Sequence, residues 1–198
     1  MTDATAFRDP AAFCALRDAI RRRTAAIGRP LRLIEFCGGH THAILRYGIR
    51  DALAPDVELL SGPGCPVCVT SDADIDAAIA LARLPGVILA TFGDMARGPG
   101  THASLQEARA TGADVRIVYS ALDAVALARR HPAREVVLLG IGFETTAPTV
   151  AAALEIARTE GLANFSVFSL HKRTPPALRA ILETGAVHWD GVLGPGHV

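Results

Sequence analysis

The chain of 198 residues lacks several features that would assign it to a function class at once. Its formal net charge is zero, which gives no electrostatic reason to expect nucleic acid or an acidic membrane surface as a partner. Its longest apolar runs, such as residues 136–141, are too short to span a bilayer. Its first ten residues contain no apolar signal core. These absences favour a cytoplasmic globular protein without nucleic-acid or membrane partners.

Cysteine is scarce as well. Four cysteines in a cytoplasmic protein of this size do not form a disulfide framework. Cys14 lies in an amphipathic helical segment, which predicts a small buried apolar side chain. Cys37, Cys65 and Cys68 instead lie in glycine-rich turns that directly follow apolar runs. Because glycine lets the backbone turn sharply or approach a ligand, these turns indicate soft-metal or thiol chemistry.

Short runs rich in Val, Ile and Leu alternate with Ala-rich segments of helical periodicity. Continuous apolar strands that alternate with helices are typical of an α/β protein whose parallel sheets are covered on both faces. The predicted strands are 31–36, 57–60, 86–92, 115–119, 136–141, 165–170 and 191–193. The predicted helices are 75–84, 104–111, 122–130, 149–160 and 176–184.

The seven predicted strands divide into two sets. We expect one α/β lobe over residues 1–113 and a second over 114–198, in close contact because no linker separates them. Ligands of parallel α/β sheets bind beyond the carboxyl ends of the strands. Almost every unusual glycine or polar motif follows a predicted strand, so we expect the motifs to line one cleft that the two lobes face.

The motif that begins at Cys37 predicts a strand-to-helix turn. A thiol at a helix N-terminus faces unpaired N–H groups, which favour the thiolate form that binds metals. His40 and His42 follow closely and are candidates to ligate a metal, to orient a ligand or to hold a proton. The alternative is a helix entry with a buried cysteine and two surface histidines.

Cys65 and Cys68 follow a Gly-Pro-Gly turn and precede a capped helix. This arrangement favours a redox-active dithiol. Half of a zinc site, completed by Cys37 with His40 or His42, is an alternative, and inert packing is another. We predict a reversible disulfide between Cys65 and Cys68.

Residues after the third and fifth predicted strands are less distinctive. Glu144, Thr145 and Thr146 open a helix whose free N–H groups and hydroxyls suit an anion or a nucleotide phosphate. No Walker motif is present, and a capped helix explains the same spacing. Asp94 is similarly ambiguous, and the turn at residues 171–173 predicts a solvated basic surface.

Six motifs, spread in order over residues 36–198, resemble the hydrogenase maturation factor HypD family. They are Phe36-Cys37-Gly38-Gly39-His40-Thr41-His42, Gly62-Pro63-Gly64-Cys65-Pro66-Val67-Cys68, Thr91-Phe92-Gly93-Asp94-Met95, Gly140-Ile141-Gly142-Phe143-Glu144-Thr145-Thr146-Ala147-Pro148, His171-Lys172-Arg173-Thr174-Pro175-Pro176 and Gly194-Pro195-Gly196-His197-Val198.

The resemblance implies a scaffold that builds the Fe(CN)2CO group of [NiFe] hydrogenases with the chaperone HypC. Cyanide would come from the HypE–HypF pair. It implies that Cys37 holds iron together with a cysteine of HypC, and that Cys65 and Cys68 perform the thiol redox step. We predict His40, His42, Asp94, Glu144, Thr145 and Thr146 as cofactor-binding residues.

The family fold is two α/β lobes around a cleft and a third domain with a [4Fe-4S] cluster. Family members are considerably longer than this chain, which has no cysteine after Cys68. We therefore expect the second lobe to be incomplete at the C-terminus and the cluster domain to be absent from this chain.

Three functions compete. A thiol–disulfide oxidoreductase would use Cys65 and Cys68 but not Cys37, and a nucleotide-binding module would use residues 142–146 and no cysteine. An iron-assembly scaffold uses every motif, since thiolate with nearby imidazole suits Fe(II). Whether the protein is an enzyme is left open by the sequence.

Overall fold

The computed structural model describes residues 8–194, which form α/β units with parallel sheets. The strands are β1 (Leu31–Glu35), β2 (Val57–Ser61), β3 (Val87–Thr91), β4 (Val115–Ile117), β5 (Glu135–Gly140), β6 (Phe165–Ser169) and β7 (Gly191–Leu193). The helices are α1 (Pro10–Ile27), α2 (Gly38–Arg46), α3 (Ile49–Leu53), α4 (Asp72–Ala82), α5 (Gly93–Ala96), α6 (Leu105–Ala110), α7 (Ala121–Arg130), α8 (Ala147–Thr159) and α9 (Thr174–Thr184).

The first compact unit combines residues up to Gly64 with a returning segment that starts at Ala180. Its three parallel strands have the order β2-β1-β7, so that β1 is central. Its core is small and consists of Ile44, Val57 and Leu59, with partly buried side chains around them. This unit therefore depends on pairing between strands from opposite ends of the described chain.

An ion pair holds the returning segment beside β1. The Asp190 carboxylate accepts from two nitrogens of Arg29 at 2.6 and 2.9 Å and from the backbone N–H of Arg32 at 2.8 Å. The backbone N–H of Asp190 in turn donates to the Arg32 carbonyl. These bonds fix the register in which β7 joins β1.

The second unit comprises residues 65–179 of the described chain. Its sheet has the order β4-β3-β5-β6, and all the strands are parallel. Side chains of α4 and α6 pack on one face, and side chains of α7 and α8 pack on the other. Every residue of β3 is buried, which is what a central strand covered on both faces requires.

Local polar residues explain where several helices begin. Ser71 accepts from the Asp74 N–H at the start of α4, and reciprocal capping bonds join Ser104 with Glu107 and Ser120 with Asp123. Such caps satisfy N–H groups that the first turn of a helix leaves without a partner. The predictions of α4, α6 and α7 are confirmed.

All seven predicted strands are present, and the predicted α/β class with two parallel sheets is confirmed. The structure divides the chain differently from the predicted boundary after residue 113. β3 belongs to the sheet of β4, β5 and β6, and β7 belongs to the sheet of β1 and β2. The difference arises because strand order along the chain does not fix which strands pair. The arrangement of two lobes around a cleft stays a prediction.

The prediction of a buried Cys14 is wrong, since this thiol is exposed. The reason is that α1 buries a single residue, Thr24, while its apolar Phe13 and Leu16 are 40% and 66% exposed. Within residues 8–194, none of the helices has the length and apolarity needed to cross a membrane.

Candidate functional site

Cys37 lies at the carboxyl end of the central strand β1 and is the N-cap residue of α2. Its backbone is extended, with φ of −160°, and its carbonyl accepts from the N–H groups of His40 at 2.8 Å and Thr41 at 3.2 Å. The predicted strand-to-helix turn is therefore confirmed. The half-buried thiol lies where the dipole of α2 favours negative charge.

The Gly-Pro-Gly turn after β2 packs on the backbone around this thiol. The Gly62 N–H donates to the Glu35 carbonyl at 2.8 Å, and a Cβ atom on Gly62 would collide with that same carbonyl oxygen. A Cβ on Gly64 would lie 2.7 Å from backbone atoms of Cys37. Both glycines are thus required by close approach, which is the reason the sequence places them there.

Glu35 and Thr41 are two residues of this site that the sequence prediction missed. The Glu35 side chain is buried, and its carboxylate accepts from the Cys37 N–H at 3.0 Å and from the Thr41 hydroxyl. The signal was present in the sequence, because an acidic residue follows the apolar pair Leu33-Ile34 at the end of the strand and directly precedes the motif.

The structure separates the two predicted histidines of the motif. His40 is half-buried, and its Nδ1 atom is buried without a hydrogen-bond partner among the described residues. His42 is exposed on α2. Because a buried polar nitrogen without a partner is costly, His40 has a donor or acceptor left for a ligand, whereas His42 does not carry this signal.

The dithiol lies in a turn at the start of the second unit. The Sγ atoms of Cys65 and Cys68 are 2.8 Å apart, both thiols are free, and the Cys68 N–H donates to the Cys65 sulfur at 3.3 Å. The hydrogen bond with Cys65 raises the pKa of Cys68, with burial adding to the effect. The Cys65 sulfur therefore accepts two hydrogen bonds from Cys68, one from its thiol and one from its backbone N–H.

Exposure argues against inert packing of this dithiol, because Cys68 is exposed and Cys65 is half-buried. The short separation of the sulfurs suits a disulfide, whose geometry needs only a small further approach. Among residues 8–194, no group of three or more His, Cys, Asp and Glu side chains is arranged to hold a metal ion. The redox role of the pair stays a prediction.

A cavity of about 420 Å³ lies at the carboxyl end of the second sheet. The strand order β4-β3-β5-β6 puts the topological switch point between β3 and β5, and open α/β sheets bind ligands at such a point. Asp94 and Thr146 line this cavity, together with Pro66 and Val67 of the dithiol turn. The structure thus brings two predicted binding residues together with the segment between the two thiols.

Glu144 and Thr145 are not among the residues that line this cavity. The Glu144 carboxylate accepts from the Thr174 N–H at 2.7 Å and the Thr174 hydroxyl at 2.8 Å, so that it caps α9. Burial acts to raise the pKa of the Glu144 carboxyl. The hydrogen bonds from the Glu144 backbone and from Thr174 outweigh burial, so that the pKa is lowered. Thr145 is exposed. A binding role of either residue stays a prediction.

Of the three residues in the turn at 171–173, Arg173 is exposed as its charge predicts, whereas His171 and Lys172 are not. Lys172 is half-buried and forms an ion pair with Asp74 at 3.2 Å. His171 is half-buried too, and burial lowers the pKa of its imidazole. The motif Gly194-Pro195-Gly196-His197-Val198 lies, apart from Gly194, outside the described residues.

Fold and site define an α/β protein with parallel sheets, in which a thiol ends the central strand of one sheet and a dithiol turn borders a cavity at the end of the other. Residues 12–198 match the HypD family, described as a hydrogenase formation family. The chain therefore belongs to the HypD family.

Three relatives are called hydrogenase maturation factor HypD. The protein of Rhodobacter capsulatus is 50% identical over 202 residues, which cover 100% of this chain and 54% of the relative. That of Azotobacter vinelandii is 54% identical over 86% of this chain and 46% of its own length. That of Escherichia coli K12 is 46% identical over 97% of this chain and 52% of its own length. The chain thus spans about half the length of these curated relatives.

Proposed function

We propose that this chain belongs to a scaffold on which iron receives its cyanide and carbonyl ligands during the maturation of [NiFe] hydrogenases. The observation that carries the proposal is the setting of Cys37, a half-buried thiol at a helix N-terminus that close glycine contacts hold in place. Membership of a family of hydrogenase maturation factors supports it. We place this function in the cytoplasm.

Iron is the cargo of this site. The Cys37 thiolate is a soft ligand that suits Fe(II), and the α2 N-terminus stabilises its negative charge. The unpartnered Nδ1 of His40 orients the ligand sphere or completes part of it. A HypC-type chaperone supplies the second thiolate, and a HypE–HypF pair delivers cyanide. We assign a [4Fe-4S] cluster to the longer family members, and we assign none of its ligands to residues of this chain.

The test is anaerobic purification of the chain in complex with a HypC-type chaperone, followed by iron analysis and infrared spectroscopy in the cyanide and carbonyl stretching region. Cys37→Ala should abolish iron retention by the complex, whereas Cys14→Ala, a change at an exposed thiol on α1, should not. Equal iron content in the parent and in Cys37→Ala would contradict the proposal.

A second candidate function is thiol–disulfide exchange, which the 2.8 Å separation of the Cys65 and Cys68 sulfurs favours. The Cys65 thiolate would attack a partner's disulfide and release one partner thiol, forming a mixed disulfide. Cys68 would then attack the Cys65 sulfur and release the second thiol, so that the pair is oxidised as the partner disulfide is reduced. Differential alkylation with mass spectrometry should find Cys65 and Cys68 paired after mild oxidation, and two freely alkylated thiols would contradict it.

A further inference from the structure

Glu35 is a buried acid in an unusual setting. It is the last residue of β1, and it is 1% exposed. Within residues 8–194, no Arg, Lys or His side chain forms an ion pair with it. Burying a carboxylate costs free energy unless its oxygens are hydrogen bonded. The hydrogen-bond partners of its two carboxylate oxygens therefore indicate the role of Glu35.

Both partners belong to the thiol turn. One oxygen accepts from the backbone N–H of Cys37 at 3.0 Å, and the other accepts from the Thr41 hydroxyl on the first turns of α2. The Glu35 backbone is fixed as well, because its carbonyl accepts from the Gly62 N–H. One carboxylate thus joins the residue that carries the thiol to the helix that begins there.

Glu35 does not act as an ordinary helix cap. A capping side chain accepts from N–H groups of the first helical turn, whereas Glu35 bonds the N–H of the N-cap residue itself and a side-chain hydroxyl. The Glu35 side chain therefore does not accept from the N–H groups of Gly38 and Gly39, which a cap would satisfy. What the carboxylate fixes is the orientation of the Cys37 backbone relative to α2, the helix that also carries His40.

We propose that Glu35 is the positioning residue of the Cys37 site, and that Thr41 is the hydroxyl through which it acts on α2. The inference rests on the proposed role of Cys37 as the thiolate that holds iron. Partners that orient a metal ligand typically change metal affinity by about 10-fold to 100-fold when they are replaced. The effects of Glu35 and Thr41 should not add, because Thr41 acts through one of the two hydrogen bonds that the Glu35 carboxylate accepts.

The test uses the 198-residue chain with Cys14, Cys65 and Cys68 replaced by Ser, so that Cys37 is its one remaining thiol. Anaerobic titration with Co(II) alone, as a spectroscopic substitute for Fe(II), gives a dissociation constant and a sulfur-to-cobalt charge-transfer band. Glu35→Gln keeps the size of the side chain and turns one acceptor into a donor. It should weaken Co(II) binding by about 10-fold to 100-fold and shift the band.

Substitutions of Thr41 give an independent arm. Thr41→Ser keeps the hydroxyl and should bind Co(II) as the parent does, whereas Thr41→Val removes it and should weaken binding. Added to Glu35→Gln, Thr41→Val should have little further effect. The matched control is Glu58→Gln, the same change on the neighbouring strand β2 at an exposed carboxylate that pairs with Arg32. It should bind Co(II) with the parent affinity and band.

Circular dichroism at the assay temperature identifies variants that are folded. A folded Glu35→Gln variant with the parent affinity and the parent band would overturn the inference. If Glu35→Gln does not fold, equal binding by Thr41→Ser and Thr41→Val would overturn it. Unchanged Co(II) binding after Cys37→Ser would instead contradict the role of Cys37 itself.

Discussion

A Cβ atom on Gly64 would lie 2.7 Å from the backbone N, Cα and C atoms of Cys37. Three backbone atoms at that distance leave no room for any side chain, because none of them can rotate away. The Gly-Pro-Gly turn therefore forms a wall of the thiol site, and the absence of a side chain at Gly64 is a condition for the position of Cys37.

Gly64→Ala should destabilise the first unit by about 1–3 kcal/mol, since the added methyl group must displace backbone atoms. The measurement is urea unfolding followed by circular dichroism. Gly194→Ala is the control, because a Cβ atom there would meet nothing within 4 Å. Identical unfolding curves for the two variants would show that the turn yields easily, contrary to this expectation.

Cys65→Ala should make Cys68 react faster with iodoacetamide near neutral pH. The hydrogen bond with Cys65 is the first cause of the raised pKa of Cys68, so its removal returns the pKa towards the ordinary value and increases the thiolate fraction. Site-resolved mass spectrometry of timed alkylation checks this. Cys14→Ala, which removes an exposed thiol on α1, should leave the rate at Cys68 unchanged. A slower Cys68 in Cys65→Ala would contradict the prediction.

Asp190→Asn should loosen the attachment of β7 in a pH-dependent manner. Its hydrogen bonds with Arg29 and the Arg32 N–H lower the pKa of Asp190 to about 2, below the value of about 3.9 of an unfolded chain. The stabilisation is therefore fully present above about pH 4 and is lost as the pH falls through about 2.

Urea midpoints of the parent and Asp190→Asn, measured at several pH values and at low salt, test this sign. The difference should be largest near neutral pH and should vanish at the acid end. Glu155→Gln, which breaks an exposed pair with Arg158 on α8, is the control and should change the midpoint little. A difference that keeps its full neutral-pH size down to pH 2 would exclude the ion pair as its cause.

Glu144→Ala should lower the stability of the second unit by about 0.5–2 kcal/mol, the usual loss when a helix cap is removed. The reason is that Thr174 loses both of its hydrogen bonds to the carboxylate at the start of α9. Amide hydrogen exchange should quicken in the first turn of α9. Thr145→Ala, at the exposed neighbouring residue, should leave this exchange unchanged. Equal exchange rates in Glu144→Ala and Thr145→Ala would contradict a capping role of Glu144.

Local structure was largely predictable from the sequence. The strands β3 and β5 are continuous apolar runs, and every residue of β3 is buried, so that their pattern alone identifies them. The turn at Cys37 was predictable too, because glycine directly after an apolar run marks a strand end. These signals lie within a few residues of the feature they specify.

Sheet partners and burial were not predictable in the same way. The pairing of Glu35 with Leu193 joins residues from opposite ends of the chain, and no local pattern encodes it. The amphipathic pattern around Cys14 predicts a helix but not what covers its apolar face, and Phe13 and Leu16 stay exposed. The charge of Lys172 predicts a solvent-exposed side chain. Lys172 instead forms an ion pair with Asp74, which lies far away in the sequence.

The hydrogen bond from the Phe36 N–H to the Leu193 carbonyl, at 3.2 Å, determines when the thiol site can form during synthesis of the chain. Phe36 directly precedes Cys37, but Leu193 is synthesised only after the whole of the second unit. The sheet that ends at Cys37 therefore lacks its third strand until the second unit has been synthesised. The mature setting of Cys37 can therefore form only after the second unit has been made, and metal can be held there in a defined geometry only from that point.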